Sequence, residues 1–446
     1  MNSTMVLAAL ILAIPASGSI ISLKESRISS IFIGVLEVLV ASILYLSGTY
    51  AGYFYVTSVS KVFILMVASI FLLSSLYSRV YLDKNAWLKD HHFFMLLDLF
   101  TTSMMFALVV NNYGLMWVGI EATTISSAIL IMTEKNEVSL EATWRYILIV
   151  SAGVTFAFIS IILIYYSFGT LEISDIISKG TGDSLVLRLA VSIALLGFGT
   201  KVGIFPVHTW LPDAHSESPA PVSAMFSGVL LPTALYVLYM IYRIDEFREL
   251  FVWAGTVSVI FASIFLGAQR KYKRMFAYST MENMSLALIG LATGNPLALT
   301  GALLLLASHS FGKASAFYSS GNILKSTGEK EIGRVHGLWK TMPFTGSSLI
   351  LSSLAVTGTP PFGTFFGEFL ILYSLYTAGF TGPFILLAVF IPIAFISVNY
   401  QVTGMAFGPP SGGSEPGRLM PFLALASAIL SLLIGVLYLV VTYAVV

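Results

Sequence analysis

The sequence predicts an all-α polytopic membrane protein with about fourteen transmembrane helices, two inverted five-helix repeats and broken helices at positions seven and twelve. Three observations lead there. Hydrophobic residues make up 57% of the 446 and charged residues only 10%, against roughly a quarter charged in soluble domains. Apolar windows long enough to span a bilayer, about 20 residues each, recur along the whole chain. Two of those windows are interrupted by glycine and proline, in KVGIFPVHTWLPDAH at 201–215 and in GTPPFGTFFGEF at 358–369.

Taken in order, the first span is read near 3–23; its apolar stretch lacks a basic n-region and a small-residue cleavage site, which distinguishes it from a signal peptide. Spans two to six follow near 30–47, 59–82, 93–110, 114–132 and 142–166. Span seven, near 185–209, contains the first break. Spans eight to eleven lie near 220–242, 250–268, 275–293 and 297–323. Span twelve, near 345–377, contains the second break, and spans thirteen and fourteen lie near 383–406 and 420–445. The breaks are five spans apart, as they would be if spans four to eight (93–242) and nine to thirteen (250–406) were repeats; an odd number of spans inverts each repeat relative to the other. Residues 1–92 then form three N-terminal helices and 420–446 a closing one. The longest connections, near 167–184 and 324–344, are too short for a soluble catalytic domain.

No cysteine occurs, which excludes disulfides, thiolate metal sites, Cys-ligated iron–sulfur clusters and covalently attached c-type haem. Redox chemistry must therefore sit on a partner, and no cofactor or metal site is expected. The net charge of +1 and the lack of a basic tail give no reason to expect nucleic acid.

Basic residues divide by side. Loops after odd-numbered spans hold Lys24, Arg27, Lys84, Lys135, the cluster Arg270, Lys271, Lys273 and Arg274, and Lys325, Lys330, Arg334 and Lys340, whereas the opposite side holds Lys61, Lys179, Arg188, Arg243 and Arg248. By the positive-inside rule both termini face outward from the cell membrane. The cluster at 270–274 is expected to anchor the cytoplasmic surface.

Ionisable residues inside spans are costly and mark ion pathways. Glu121 sits mid-span in WVGIEATTISS, where a lone carboxylate must pair or take up a proton, and Lys201, beside the first break, is its natural partner. His309 and Lys313 are spaced i, i+4 in SHSFGK and share one helix face. Glu368 follows the second break. His208, Asp213 and His215 line the exit of the first. Glu37 and Glu282 are expected to hydrogen-bond to neighbouring helices, and Asp98, near the start of its span, to be interfacial.

The same residues carry a family resemblance. WVGIEATT, GFGTKVGIFPVHTWLPDAHSESPAPVSAMFSGVLL, KRMFAYSTMEN, SHSFGKASAFYSSGNI and GTPPFGTFFGEF resemble the motifs of the antiporter-like proton-pumping membrane subunits. That family includes large membrane subunits of respiratory complex I, of membrane-bound energy-converting hydrogenases and of Mrp-type Na⁺/H⁺ antiporters. KRMFAYSTMEN and GTPPFG are most similar to the hydrogenase-4-like branch. The resemblance implies a proton relay of Glu121, Lys201, His309, Lys313 and Glu368, with His208, Asp213 and His215 in support. It also implies partners: other membrane and hydrophilic redox subunits of an oxidoreductase complex, with H⁺ or Na⁺ as the ion. One position departs from the family. Where many members have a bridging lysine on span eight, GVLLPT here puts Pro232, so either water or His309 bridges the gap or pumping is lost. The lateral helix that some members append after span fourteen is expected to be absent, the chain ending at Val446.

Two rival readings remain at this level. One is a secondary transporter working alone or as an Mrp-type cation/H⁺ antiporter subunit, which broken helices fit equally well; the lack of a carboxylate cluster suited to a metal cation weighs against it. The other is a non-pumping scaffold, motivated by Pro232.

Overall fold

The computed structural model describes residues 2–24, 26–82, 87–133, 136–180 and 184–445; Lys84 and Lys135 of the basic loops lie outside them. The chain begins with α1 (Ser3–Ile21), α2 (Ser26–Leu46), α3 (Ser58–Tyr81), α4 (Asp90–Val109), α5 (Tyr113–Ile131), α6 (Glu137–Phe168), the short α7 (Ile173–Ser178) and α8 (Leu185–Val202). Next come α9 (Trp210–Glu217), α10 (Ala220–Met225) and α11 (Leu231–Tyr242), the last two joined by a π-helical segment at Phe226–Leu230. The remainder is α12 (Arg248–Gly267), α13 (Tyr272–Ala292), α14 (Pro296–Thr327), α15 (Leu338–Thr341), α16 (Pro343–Val356), α17 (Gly363–Thr377), α18 (Thr381–Ala406) and α19 (Leu419–Val445). A two-stranded hairpin, Tyr50–Ala51 against Tyr55–Val56, links α2 to α3.

Local chemistry sets these limits. Thr57 and Asn136 open α3 and α6 with reciprocal capping boxes to Ser60 and Ser139, satisfying amides that a helix start leaves without partners. Asn295 caps α14 ahead of Pro296. Gly169, Gly203 and Gly328 close α6, α8 and α14 in the left-handed conformation, where a side chain would be strained.

Among the described residues, twelve helices are long and apolar enough to cross a membrane. Two of the fourteen expected spans are of another kind. The twelfth is divided into α16 and α17 by the 357–362 break, so neither half reaches full length. The tenth, α13, is a complete helix but carries Lys273, Arg274, Glu282, Asn283 and several hydroxyls, and it is buried along most of its length. Such a helix is surrounded by protein and not by lipid. Large apolar side chains exposed on the outer helices, including Leu39, Phe156, Ile396 and Leu437, form the surface that acyl chains would cover.

The chain divides into two compact units. One comprises Met1–Gly203, Glu217–Val222 and Val229–Leu250; the other comprises Ile204–Ser216, Ser223–Gly228 and Phe251–Val446. In the first, α1 to α4 pack as a bundle, and α5, α6, α8 and α11 continue the packing from α4. In the second, α14 is central and packs against α13, α16, α17 and α19. Both expected breaks are present, at 203–209 between α8 and α9 and at 357–362 between α16 and α17.

Candidate functional site

The first unit holds a charge site on α5, α6 and α8. Lys201 is fully buried in the last turn of α8, immediately before the Gly203 cap. Its ammonium donates to Thr124 Oγ1 at 2.8 Å and to the Tyr146 phenol oxygen at 2.7 Å, and lies 4.9 Å from the Tyr146 ring centroid. Ser127 is 2.7 Å from that phenol and donates its own proton to the Thr123 carbonyl at 2.6 Å. Lys201 thus heads a hydrogen-bonded chain: it donates to Tyr146, and Tyr146 and Ser127 share a bond in which either hydroxyl can be the donor.

Glu121 lies one turn before Thr124 on α5, half-buried, and Oε1 accepts from Ser151 on α6 at 3.0 Å. Its other oxygen has no hydrogen-bond partner among the described residues. The expected Glu121–Lys201 contact is therefore indirect. The carboxylate acts on the ammonium through space, while hydroxyls make the direct bonds. Close approach of α6 and α8 is what brings Tyr146 within reach. At Gly153 an added Cβ would lie 2.5 Å from Thr200 Cβ, so only glycine allows this backbone spacing.

In the second unit, His309 and Lys313 are both fully buried on one face of α14. Lys313 donates to the Phe276 carbonyl of α13 at 2.9 Å. Glu282, six residues further along α13 and also buried, is the carboxylate whose charge reaches Lys313, and the Glu368 carboxyl on α17 feels the same charge. Among the described residues Glu282 accepts a side-chain bond from Asn283 on its own helix, at 2.9 Å, so the expectation of bonding to a neighbouring helix gives way to a place among these charges. Glu368 faces Gly358 of the break, whose φ is 65° and where a Cβ would collide with the carboxylate. It also lines a cavity of about 450 Å³ with Thr357, Phe365, Phe369 and Phe395.

Of the residues expected around the first break, His215 lies within reach of the Lys313 charge, whereas Asp213 and His208 have other neighbours. Asp213 forms an ion pair with Arg274, so Arg274 braces α9 against α13 and is not a free surface anchor. His215 is fully buried and stacked on Phe317, with ring centroids 4.8 Å apart. His208 lies among Phe205, Phe265 and Tyr278. Nearby, Pro232 offers no amide to the Gly228 carbonyl four residues before it; that carbonyl accepts from Ser310 of α14 at 2.6 Å, inside the π-helical segment that absorbs the irregularity.

Sequence reasoning missed Tyr146, Thr124 and Ser127. The available signal was weak: a tyrosine in the otherwise apolar RYILIV stretch, and hydroxyls one and two turns after Glu121. Asp98, expected to be interfacial, is enclosed by protein. It is fully buried and accepts from Ser22 at 2.6 Å and Ser30 at 2.9 Å.

Comparison with known proteins agrees with this picture. Residues 110–395 match the transmembrane family described as NADH:quinone oxidoreductase/Mrp antiporter. The chain is 32% identical over 393 residues to the hydrogenase-4 component F homolog of Methylacidiphilum infernorum, covering 82% of each protein. It is 29% identical over 372 residues to NADH-quinone oxidoreductase subunit N of Desulforudis audaxviator, covering 80% of this chain and 74% of the relative. In fold it resembles a chain of the Mrp complex from Dietzia sp. DQ12-45-1b, with a TM-score of 0.90 at 19% identity over 99% of this chain and 96% of that one. A chain of respiratory complex I from Thermus thermophilus aligns with a TM-score of 0.84 at 20% identity over 97% of each. With residues 110–395 matched by the family and a relative 32% identical over 82% of each protein, the protein is a multi-pass member of the NADH:quinone oxidoreductase/Mrp antiporter transmembrane family.

Proposed function

We propose that the protein is a proton-translocating membrane subunit of a redox-driven complex, of the kind named in its hydrogenase-4 and NADH-quinone oxidoreductase relatives, and that it lies in the cell membrane with both termini outside. The observation that carries the reading is Lys201: a fully buried ammonium held by two hydroxyls, with a carboxylate acting on it from one turn away. Such a charge is expensive to place and serves no packing need that an aliphatic residue would not meet.

In this reading Lys201 takes a proton from the cytoplasmic side. Approach of the Glu121 carboxylate stabilises the ammonium, and its withdrawal releases the proton, a change that an electron-transfer step in a partner subunit would drive. His309 and Lys313 receive it, with Glu282 as an added member, and Glu368 releases it through the cavity at the second break. Charges that act on one another titrate as a set, so the relay is a coupled series and not five separate sites. Pro232 removes one possible carrier, and His309 and water take its place. The two breaks, five spans apart, support the inverted-repeat organisation of 93–242 and 250–406.

The test is ion uptake by proteoliposomes containing the purified complex, with Lys201→Ala beside the parent and a protonophore or a sodium ionophore added in parallel. Uptake lost in the variant and collapsed directly by protonophore is the expected result. Unchanged uptake by Lys201→Ala would move the path to other subunits and leave this one as scaffold. Collapse by the sodium ionophore alone would make it a Na⁺ translocator of the Mrp kind.

A further inference from the structure

A second buried carboxylate system lies in the N-terminal bundle, away from the residues of the relay. The inner face of α2 is a stripe of Ser30, Ile33, Gly34, Glu37, Ala41 and Leu44. Glu37 is fully buried, and neither carboxylate oxygen has a hydrogen-bond partner among the described residues. Two turns away on the same stripe, about 10 Å along the axis, Ser30 donates to Asp98 Oδ1. Asp98 also accepts from Ser22, and Ser30 is bonded to Ser75 at 3.2 Å. Further toward that end, Arg27 pairs with Asp90 at 2.5 Å.

Among the described residues no cation pairs with Glu37. α2 packs against α1, α3 and α4. Within its span α1 has no ionisable side chain; α3 brings Lys61 and Arg79, both near its ends, and α4 brings Asp90, His91 and His92 at its start and Asp98 further in. Lys61 is committed to the Ser47 carbonyl, ten residues beyond Glu37 on α2, about 15 Å along the axis. An ionised carboxylate with neither donor nor counter-ion in a low-dielectric interior costs several kcal/mol, whereas the neutral acid costs far less.

We propose that Glu37 is a second proton-holding site of this protein, which exchanges its proton along α2 by way of the Asp98–serine network. The serine hydroxyls can each donate and accept, and the network brings them to within two turns of Glu37, with only Ile33 and the side-chain-free Gly34 between on the stripe, whereas in the other direction Ala41 and Leu44 intervene before the next hydroxyl in line, Ser47. The site is a dead-end store, loaded and emptied from one side. It goes beyond the Lys201 relay and does not depend on it.

Infrared difference spectroscopy of the intact complex tests this, with Glu37→Gln subtracted from the parent and each recorded in H₂O and D₂O. A protonated-carboxyl band that is lost in Glu37→Gln and shifts in D₂O is the expected result. In Asp98→Asn the band persists but its shift on transfer to D₂O is slower. If Glu37→Gln fails to assemble, Glu37→Asp displaces the same band. Absence of any band assigned to Glu37 means that the group is ionised and overturns the proposal; a band that never responds to D₂O means a sealed structural acid and overturns it equally. The readout is one carboxyl band and not ion uptake, so failure here and failure of the relay are separate results.

Discussion

Tyr146 accepts the shorter of the two hydrogen bonds that Lys201 donates: the ammonium lies 2.7 Å from the phenol oxygen while standing 4.9 Å from the ring centroid. The phenol thus stabilises the cation twice, by accepting a charge-assisted hydrogen bond and through the negative face of the ring.

Removing only the phenol oxygen isolates the first of these effects. A hydrogen bond to a charged group is worth about 1.5–3 kcal/mol, so Tyr146→Phe should slow proton uptake by roughly tenfold to a hundredfold while the complex still assembles. The measurement is initial uptake rate in proteoliposomes at matched protein content. A parent-like rate would assign the phenol to packing alone.

The central pair makes a sharper prediction. Lys201→Ala and Glu121→Gln should each abolish coupled uptake with assembly intact, and Lys201→Arg should fail as well, because a guanidinium does not release its proton at physiological pH. Normal pumping by Lys201→Arg would leave Lys201 as a fixed charge and exclude it as a carrier.

Much of this architecture was legible in the sequence because the bilayer enforces it. Spans such as 59–82 and 383–406 could be placed within a few residues, since any shorter apolar run would leave backbone amides in lipid. The breaks were legible for the same reason, glycine and proline being placed where a helix cannot continue. The direct bonds were not. Thr124 and Tyr146 are ordinary helix residues in one dimension, and only packing turns them toward Lys201, for Tyr146 that of α6 on α8 at Gly153. Charges were easy to find and their partners hard: Asp213 was expected at an exit and is paired with Arg274, while Glu282 and Glu37 were expected to bond across helices and do not. A sequence marks an ionisable group by its type, but its partner depends on the rotation of a neighbouring helix.

The spacing of α6 and α8 can be tested directly. Gly153→Ala puts a methyl group 2.5 Å from Thr200 Cβ, and relieving such overpacking costs about 1–3 kcal/mol. The expected result is a lower thermal midpoint of the purified complex together with slower uptake, because separating the helices lengthens the Lys201–Tyr146 bond. Gly153→Ala combined with Tyr146→Phe should then pump no worse than Tyr146→Phe alone, since the bond that the methyl group disturbs is already gone; additive losses would show that the methyl group acts elsewhere.

Gly358 offers the equivalent test at the second break. Alanine there combines a left-handed backbone position, costing on the order of 1–3 kcal/mol, with a collision against the Glu368 carboxylate. Gly358→Ala should therefore impair release as strongly as Glu368→Gln. Adding Glu368→Ala to Gly358→Ala should recover thermal stability by removing the colliding group, with no recovery of uptake. A double variant as unstable as the sum of its parts would place the strain in the backbone alone.

Orientation is open to a clean measurement because the protein has no cysteine. Lys179 and Lys340 are exposed, and they lie in loops assigned to opposite sides by the distribution of basic residues. With Lys340→Cys and Lys179→Cys made separately, a membrane-impermeant maleimide applied to intact cells should label only the second, and both should be labelled once the cells are opened. The reverse pattern would turn the whole chain over, carrying Glu368 to the cytoplasmic side or away from it and exchanging the loading and release ends of the relay. Labelling of both from outside would break the alternation of spans between the two sites, and the first place to look would be α13, the helix between them that carries Lys273, Arg274, Glu282 and Asn283 where the other crossings are apolar.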